Sequence, residues 1–191
     1  MQYFKPHRKY PGRHWENHPT AYSEHFAKFL KSRKFHGKLV DVGCSIGRDV
    51  NVFNKFGLDA TGIDYSEGEI SLAKEKFPEL KFEVQNAESL KFADTSIDAF
   101  FMINVIHFTK KEKAIAEIFR TLKPEGYFLI HFNIEIKDNK GKVDCYHAPK
   151  DILKLVSMFK IVHKRVFQRT DLKPFRHKHR IMELILQKRN K

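Results

Sequence analysis

Two absences limit what kind of protein this chain can be. It has only two cysteines, Cys44 and Cys145, in 191 residues, so no disulfide framework can hold the fold together. No apolar run approaches the roughly 20 residues of a membrane-spanning helix, and residues 1–15 lack the apolar stretch of a secretory signal. We therefore expect a cytoplasmic protein with one domain at residues 20–191, preceded by a basic aromatic arm at residues 1–19.

Acidic residues are scarce at both ends of the chain. Residues 1–36 carry 8 basic and 2 acidic side chains, and residues 131–191 carry 16 and 6. Residues 37–130 carry 12 and 15, and the formal net charge of the whole chain is +13. Such flanks suit an anionic substrate or nucleic acid, although a solvated lysine-rich surface explains them as well.

Glycines are also few, and two of the nine flank a turn between two predicted elements. An apolar run at 39–42 leads into the small-residue turn 43–47, and a helix-like stretch follows at 49–56. A second apolar run, 60–64, ends in an aspartate. This order of strand, glycine turn, helix, strand and acid predicts a nucleoside site in a doubly wound sheet.

The glycine spacing separates two kinds of nucleoside-binding protein. Dinucleotide enzymes use G-x-G-x-x-G, whereas here Gly43 and Gly47 are four residues apart with Ser45 between them, which disfavours a nicotinamide dehydrogenase. Gly43 would let a ligand approach the backbone, Gly47 would open the helix towards electron-rich groups, and Asp64 would accept the ribose hydroxyls.

The run D-x-G-x-x-x-G that begins at Asp41 resembles motif I of the class I S-adenosylmethionine-dependent methyltransferases, in particular their type 11 domain. Ser45 replaces the middle glycine of that motif. Three later segments resemble the same family in the same order: the polar segment after the third strand (86–90), the approach to the fourth strand (92–108), and the helix, turn and fifth strand (111–130).

This resemblance implies a fold, a methyl donor and a set of binding residues. The fold is an α/β domain with a doubly wound, seven-stranded, mostly parallel sheet, helices on both faces and an antiparallel last strand. The donor is S-adenosyl-L-methionine, and the product is S-adenosyl-L-homocysteine. The cofactor-binding residues are predicted to be Asp41, Gly43, Cys44, Ser45, Gly47, Asp64, Tyr65, Asn86, Ala87, Glu88 and Asn104.

The acceptor is predicted to face the ends of the fourth and fifth strands, at Asn104, His107, His131 and Asn133. His107 is the candidate general base, because an unperturbed imidazole titrates near pH 6.5, and His147 is a second candidate. We expect a small-molecule acceptor, with an anionic one in keeping with the basic flanks. An RNA or protein methyltransferase and a non-catalytic S-adenosylmethionine-binding subunit remain alternatives.

Local patterns predict several further elements. Ser66, with Glu69 three residues later, predicts a capping box at the start of a helix at 65–77. Residues 133–147 are polar and predict an insertion that forms a hairpin or a lid over the site. The remaining predicted elements are helices at 20–35 and 151–159 and strands at 81–85, 97–103, 127–132, 160–168 and 180–187.

Two features of the sequence invite other chemistry. His177 and His179 place two imidazoles on one face of a strand, but no cysteine or cluster of acids accompanies them, and Lys178 and Arg180 repel a cation. We therefore predict no metal site. Cys44 in the glycine turn is predicted to be a small buried thiol rather than a nucleophile.

Overall fold

The computed structural model describes residues 21–137, 143–144, 148–171 and 176–190. In these residues the helices are α1 Ala21–Ser32, α2 Arg48–Lys55, α3 Glu67–Lys76, α4 Lys111–Thr121 and α5 Pro149–Leu155, with a 3₁₀ turn at Ile106–Phe108. The strands are β1 Lys38–Val42, β2 Asp59–Asp64, β3 Lys81–Val84, β4 Ile97–Ile103, β5 Leu122–Lys137, β6 Val143–Asp144, β7 Phe159–Asp171 and β8 His177–Lys188.

The seven long strands form one sheet in the order β3-β2-β1-β4-β5-β8-β7, and the two-residue β6 pairs with β5. Strands β1 to β5 pair in parallel, and β8 lies antiparallel between β5 and β7. The predicted doubly wound sheet with an antiparallel last strand is therefore confirmed. The carboxyl ends of β1, β2, β4 and β5 meet at one edge of the sheet, where ligands of open α/β sheets bind.

The central strand β4 explains why the helices lie on both faces of the sheet. Its neighbouring residues Phe100 and Phe101 are fully buried on opposite faces. Phe101 packs edge-on against Phe53 of α2 at 5.0 Å, whereas Phe100 shares a cluster with Ile115 of α4 and Phe159 of β7. A strand buried on both faces requires the continuous apolar run found here rather than an alternating one.

The fifth strand extends further than its sequence indicates. β5 continues to Lys137, and Ile134 and Ile136 are both 3% exposed. Placing residues 133–137 in a polar insertion was therefore wrong, because polar side chains alternate there with buried isoleucines. The hairpin part of that prediction is confirmed, since β6 pairs antiparallel with Ile136 and Lys137. The predicted lid would involve residues 138–142 and 145–147, which lie outside the described residues.

The two C-terminal strands are also longer than predicted, because they pair with each other from Phe159 and Lys188 to Asp171 and His177. Helix α1 ends at Ser32, and the predicted arm before it lies outside the described residues. No described helix combines the length and the apolar character needed to cross a bilayer.

Candidate active site

The turn after β1 is built from residues in the left-handed backbone region. Gly43, Ser45 and Gly47 have φ values of 74°, 49° and 79°, and Gly47 caps the amino terminus of α2. The amides of Gly43 and Cys44 both donate to the carbonyl of Ile63 on β2, at 2.7 and 3.0 Å. The turn is thereby held against the carboxyl end of β2, as the sequence predicts.

The two glycines have a packing role in addition to their conformation. A Cβ at Gly43 would overlap with Cγ2 of Val105, and one at Gly47 would overlap with the ring of Phe82. Gly43 is predicted to allow the close approach of a ligand. Its packing against Val105 is a second reason for glycine at this position. Substitution of either glycine would disturb the fold before it reported on ligand binding.

Ser45 connects the turn to the next helix. Its hydroxyl donates to Oε2 of Glu69 at 2.6 Å, and its amide donates to Oδ2 of Asp64 at 3.1 Å. Ser66 caps α3 by accepting the amide of Glu69 at 3.3 Å, which confirms half of the predicted capping box. In a full capping box the carboxylate of Glu69 would accept the amide of Ser66. Here that carboxylate accepts the hydroxyl of Ser45, the residue that replaces the family's middle glycine.

Asp64 stands at the end of β2 with its carboxylate oriented by the backbone. Oδ1 accepts the amide of Ser66 at 3.0 Å and Oδ2 accepts that of Ser45, while the residue is 9% exposed. Each oxygen keeps a lone pair for a further donor, such as a sugar hydroxyl. The neighbouring Tyr65 is 80% exposed, so its ring is accessible to a ligand at this edge.

Asp41 lies on the other side of the turn and is almost fully buried, at 3% exposure. Its Oδ2 has no hydrogen-bond partner among the described residues. Burial, with the nearby charge of Asp49, raises the pKa of the Asp41 carboxyl well above its ordinary value. Asp49 is itself held by Ser23 at 2.7 Å and Arg48 at 2.9 Å. A cationic group of a ligand would supply the missing partner of Asp41.

Cys44 is buried beside these acids. Burial, then the charges of Asp41 and Asp64, raises the pKa of its thiol. A thiol of this kind is not a nucleophile at neutral pH, in agreement with the prediction that it serves as a small packing group.

The segment after β3 is fixed by several backbone contacts. Oδ1 of Asn86 accepts the amide of Glu88 at 2.9 Å, and Ala87 is buried. Oε1 of Glu88 accepts the amide of Lys110, directly before α4, at 2.8 Å. The carboxylate of Glu88 is therefore used to position α4, and the predicted adenine-side segment is ordered by the protein itself.

The candidate acceptor residues at the ends of β4 and β5 contact one another. Asn104 has a φ of 59°, and its Oδ1 accepts Nδ2 of Asn133 at 3.1 Å. Nε2 of His107 accepts the amide of Asn133 at 3.1 Å, so a proton taken up at this nitrogen would displace that bond. The second candidate base, His147, lies outside the described residues.

His131 does not face an acceptor. It is fully buried under α1, where its ring contacts Tyr22 at 4.4 Å between ring centroids and its Nδ1 lies 3.3 Å from Oε2 of Glu183. Arg165 donates to the other oxygen of Glu183 at 2.7 Å. Sequence reasoning missed this network, although a single acid inside the apolar run 181–186 was a signal for it.

The structure also changes the setting of His177 and His179. Pairing of β7 with β8 brings Asp171 opposite His177, so an acid accompanies the two imidazoles after all. The three residues can each offer one ligand atom within a span of 4.8 Å. The fold therefore places an acid beside the two imidazoles, which the sequence prediction did not include.

Comparison with known proteins agrees with this geometry. A family model described as "methyltransferase domain" matches residues 40–130, which include the turn, both aspartates and the β3–α4 segment. The matched segment is 91 of the 191 residues, and its similarity is to a methyltransferase domain. Demethylmenaquinone methyltransferase of Renibacterium salmoninarum is 32% identical over 97 residues, which are 49% of this chain and 40% of the relative. The chain therefore spans less than half of that relative.

Solved structures show the same fold. A methyltransferase from Methanosarcina mazei has a TM-score of 0.68 at 22% identity and covers 82% of this chain and 94% of its own. The 1,6-didemethyltoxoflavin-N1-methyltransferase of Burkholderia thailandensis, solved with bound 1,6-didemethyltoxoflavin and S-adenosylhomocysteine, has a TM-score of 0.71 at 16% identity. The match covers 98% of this chain and 84% of that one.

Proposed function

We propose that this chain transfers a methyl group from S-adenosylmethionine to a small-molecule acceptor. The observation that carries the proposal is the pair of acids on either side of the left-handed turn. Asp64 presents an oriented carboxylate at the end of β2, and Asp41 presents a buried oxygen without a partner among the described residues. Hydroxyl donors and a cation suit these two groups, and S-adenosylmethionine carries both in its ribose and its amino group.

In this site Asp64 would bind the ribose hydroxyls, and Asp41 would bind the amino group of the methionine part. The exposed ring of Tyr65 and the ordered segment at 86–88 lie where the resemblance places the adenine. When bound, S-adenosylmethionine supplies a methyl group on a sulfonium that leaves as a neutral thioether. The chain therefore needs no acid for the leaving group, and alignment of the two reactants can lower the barrier by up to about 7–11 kcal/mol.

A small-molecule acceptor is favoured by the relatives. The names of both the Renibacterium and the Burkholderia proteins specify small molecules, demethylmenaquinone and 1,6-didemethyltoxoflavin. The excess of 16 basic over 6 acidic residues in 131–191 favours an anionic acceptor. It also supports the second candidate, in which the basic flanks hold an RNA or protein target.

The cofactor site is tested by calorimetry with S-adenosylmethionine and with NAD. We expect binding of the former only, and a loss of about 10- to 150-fold in Asp64→Asn, the scale of a hydrogen bond to a charged group. Asp59→Asn is the matched control, since Asp59 is the first residue of the same strand and lies at the end of that strand away from the site. Equal affinity of Asp64→Asn and wild type would show that the site is wrongly assigned.

The acceptor is tested with S-adenosylmethionine that carries a labelled methyl group. A cell extract from which nucleic acid and protein have been removed should receive the label in its small-molecule fraction. Label in RNA or protein would favour the second candidate instead. Cofactor binding without transfer to any fraction would favour a non-catalytic subunit.

A further inference from the structure

We propose that Asp171, His177 and His179 form a binding site for a divalent transition-metal ion. Asp171 ends β7 and His177 begins β8, and the two residues pair directly across the hairpin. Oδ2 of Asp171 lies 3.2 Å from Nε2 of His179 and 3.8 Å from Nε2 of His177. The histidines are 3% and 1% exposed, and the centroids of their rings are 4.6 Å apart.

The hydrogen bonds of His179 indicate that a positive charge is needed between its ring and Asp171. Nδ1 of His179 lies 2.8 Å from Oδ1 of Asn133, and the side-chain nitrogen Nδ2 of Asn133 donates to Oδ1 of Asn104. The oxygen of Asn133 therefore faces His179, and Nδ1 must carry the hydrogen. In a neutral ring Nε2 then points a lone pair at the carboxylate oxygen of Asp171, so either a proton or a metal ion must lie between them.

The separations between Asp171 and each of the two histidines are close to those of a metal site. Zinc binds imidazole nitrogen and carboxylate oxygen at about 2.0–2.2 Å, which places two donors about 3.4 Å apart in a tetrahedral site. The pair formed by Asp171 and His179 is already slightly closer than this, and the pair formed by Asp171 and His177 needs to close by only a few tenths of an ångström. Two imidazoles and one carboxylate suit zinc, iron, cobalt or nickel.

The groups around these three residues support the site but limit its affinity. The bond from His179 to Asn133 is of the kind that fixes the ring of a metal-binding histidine. Arg169 donates to both oxygens of Asp171, at 2.8 and 2.9 Å, and so holds the carboxylate in place. Its positive charge also opposes a cation, and we therefore expect micromolar rather than tighter binding.

Asn133 connects the metal site to the proposed acceptor residues. Asn133 accepts from His179 and contacts both His107 and Asn104. A metal ion that fixes His179 therefore also fixes the amide between the two candidate acceptor residues. Metal binding itself does not depend on the proposed methyl transfer and can be measured without any acceptor.

The test uses the full chain, stripped with a chelator and then titrated with zinc chloride in a calorimeter. We expect one equivalent to bind with micromolar affinity, and we expect cobalt(II) to give the absorption bands of a site with nitrogen and oxygen ligands. Asp171→Asn and His179→Gln should each weaken zinc binding at least about tenfold. The exposed His36→Gln is the matched control and should bind zinc like the wild type.

Two outcomes would overturn the proposal. One is no zinc binding below about 100 µM, which would mean that a shared proton joins His179 to Asp171. The other is binding that neither substitution at the site weakens. If the variants do not fold, nitrogen NMR of the wild type decides, because zinc should shift the Nε2 resonances of His177 and His179 and leave that of His36 unchanged.

Discussion

Replacement of the buried Asp41 by asparagine should stabilise the ligand-free protein and weaken its affinity for the cofactor. Burial raises the pKa of Asp41 in the folded state well above its ordinary value of 3.8. Above pH 3.8 the unfolded chain therefore loses a proton that the folded chain keeps. The folded wild type is then penalised by about 1.4 kcal/mol for each pH unit until the folded-state pKa is reached.

Asparagine cannot ionise, so Asp41→Asn is free of this penalty. The difference in unfolding free energy between variant and wild type should be constant below pH 3.8. Above it the difference should rise in favour of the variant by about 1.4 kcal/mol per pH unit, and it should level off above the folded-state pKa. Urea unfolding at a series of pH values measures this difference, in which the contributions of other titrating groups largely cancel.

Cofactor affinity should change in the opposite direction. Loss of the contact between Asp41 and the amino group should cost about 1.5–3 kcal/mol, or roughly 10- to 150-fold in the dissociation constant of S-adenosylmethionine. At a pH below the folded-state pKa of Asp41, wild-type binding should also release a proton as Asp41 ionises, which calorimetry in buffers of different ionisation heat detects. A variant that is destabilised at neutral pH, or that binds the cofactor as tightly as wild type, would refute this account of Asp41. Asp59→Asn, at the exposed end of β2, is the control.

Three further predictions concern other parts of the site and core. Ser45→Ala should destabilise the fold more than Ser45→Gly, by about 1 kcal/mol in urea unfolding, because both lose the bond to Glu69 but only glycine relieves the left-handed backbone; equal stability would show that the turn is not strained. Glu183→Gln should cost roughly 3 kcal/mol, because the Arg165 contact would lose its charged partner. Burial acts to raise the pKa of Glu183, but hydrogen bonds from His131 and Arg165 outweigh it and hold the pKa below its ordinary value. The wild type should therefore lose stability as the pH falls below about 4.5. The Glu183→Gln variant should lose less unfolding free energy over the same pH range, and an equal loss in both proteins would contradict this. His107→Ala should lower kcat by less than the roughly 10²–10⁴-fold expected for a general base, and a larger loss, with loss of a pH step near 6–7, would make it the base.

The turn after β1 and the two acids beside it could be located from the sequence because their signals are local. Asp41, Gly47 and Asp64 stand within a short run of residues whose order of strand, turn, helix and strand fixes where they meet. The cap that Ser66 forms on α3 could be predicted for the same reason, because Ser66 and Glu69 are three residues apart. The sequence could not show that the carboxylate of Glu69 accepts the hydroxyl of Ser45, because that contact depends on how α3 packs beside the turn.

The position of His131 depends on long-range pairing, and its predicted place facing the acceptor was wrong. His131 looked like a strand-end residue, but β5 continues past it to Lys137, so it lies in the middle of the strand and in the core. Asp171 and His177 are joined by the register of a hairpin that no turn motif specifies. A strand that alternates polar and apolar residues is easily taken for a loop when one of its faces buries polar groups.

The position of β7 at the edge of the sheet has a consequence for how the protein behaves at high concentration. Within the described part of the chain no strand pairs with the outer side of β7, and such an edge invites pairing with a second molecule. Lys160 and Lys164 are exposed along it, so two copies that approach edge to edge repel each other. The Debye length falls from about 8 Å at 0.15 M salt to about 3 Å at 1 M. Concentrated salt should therefore promote self-association of this protein through its backbone, and charge reversal at both lysines should alter the salt concentration at which it begins.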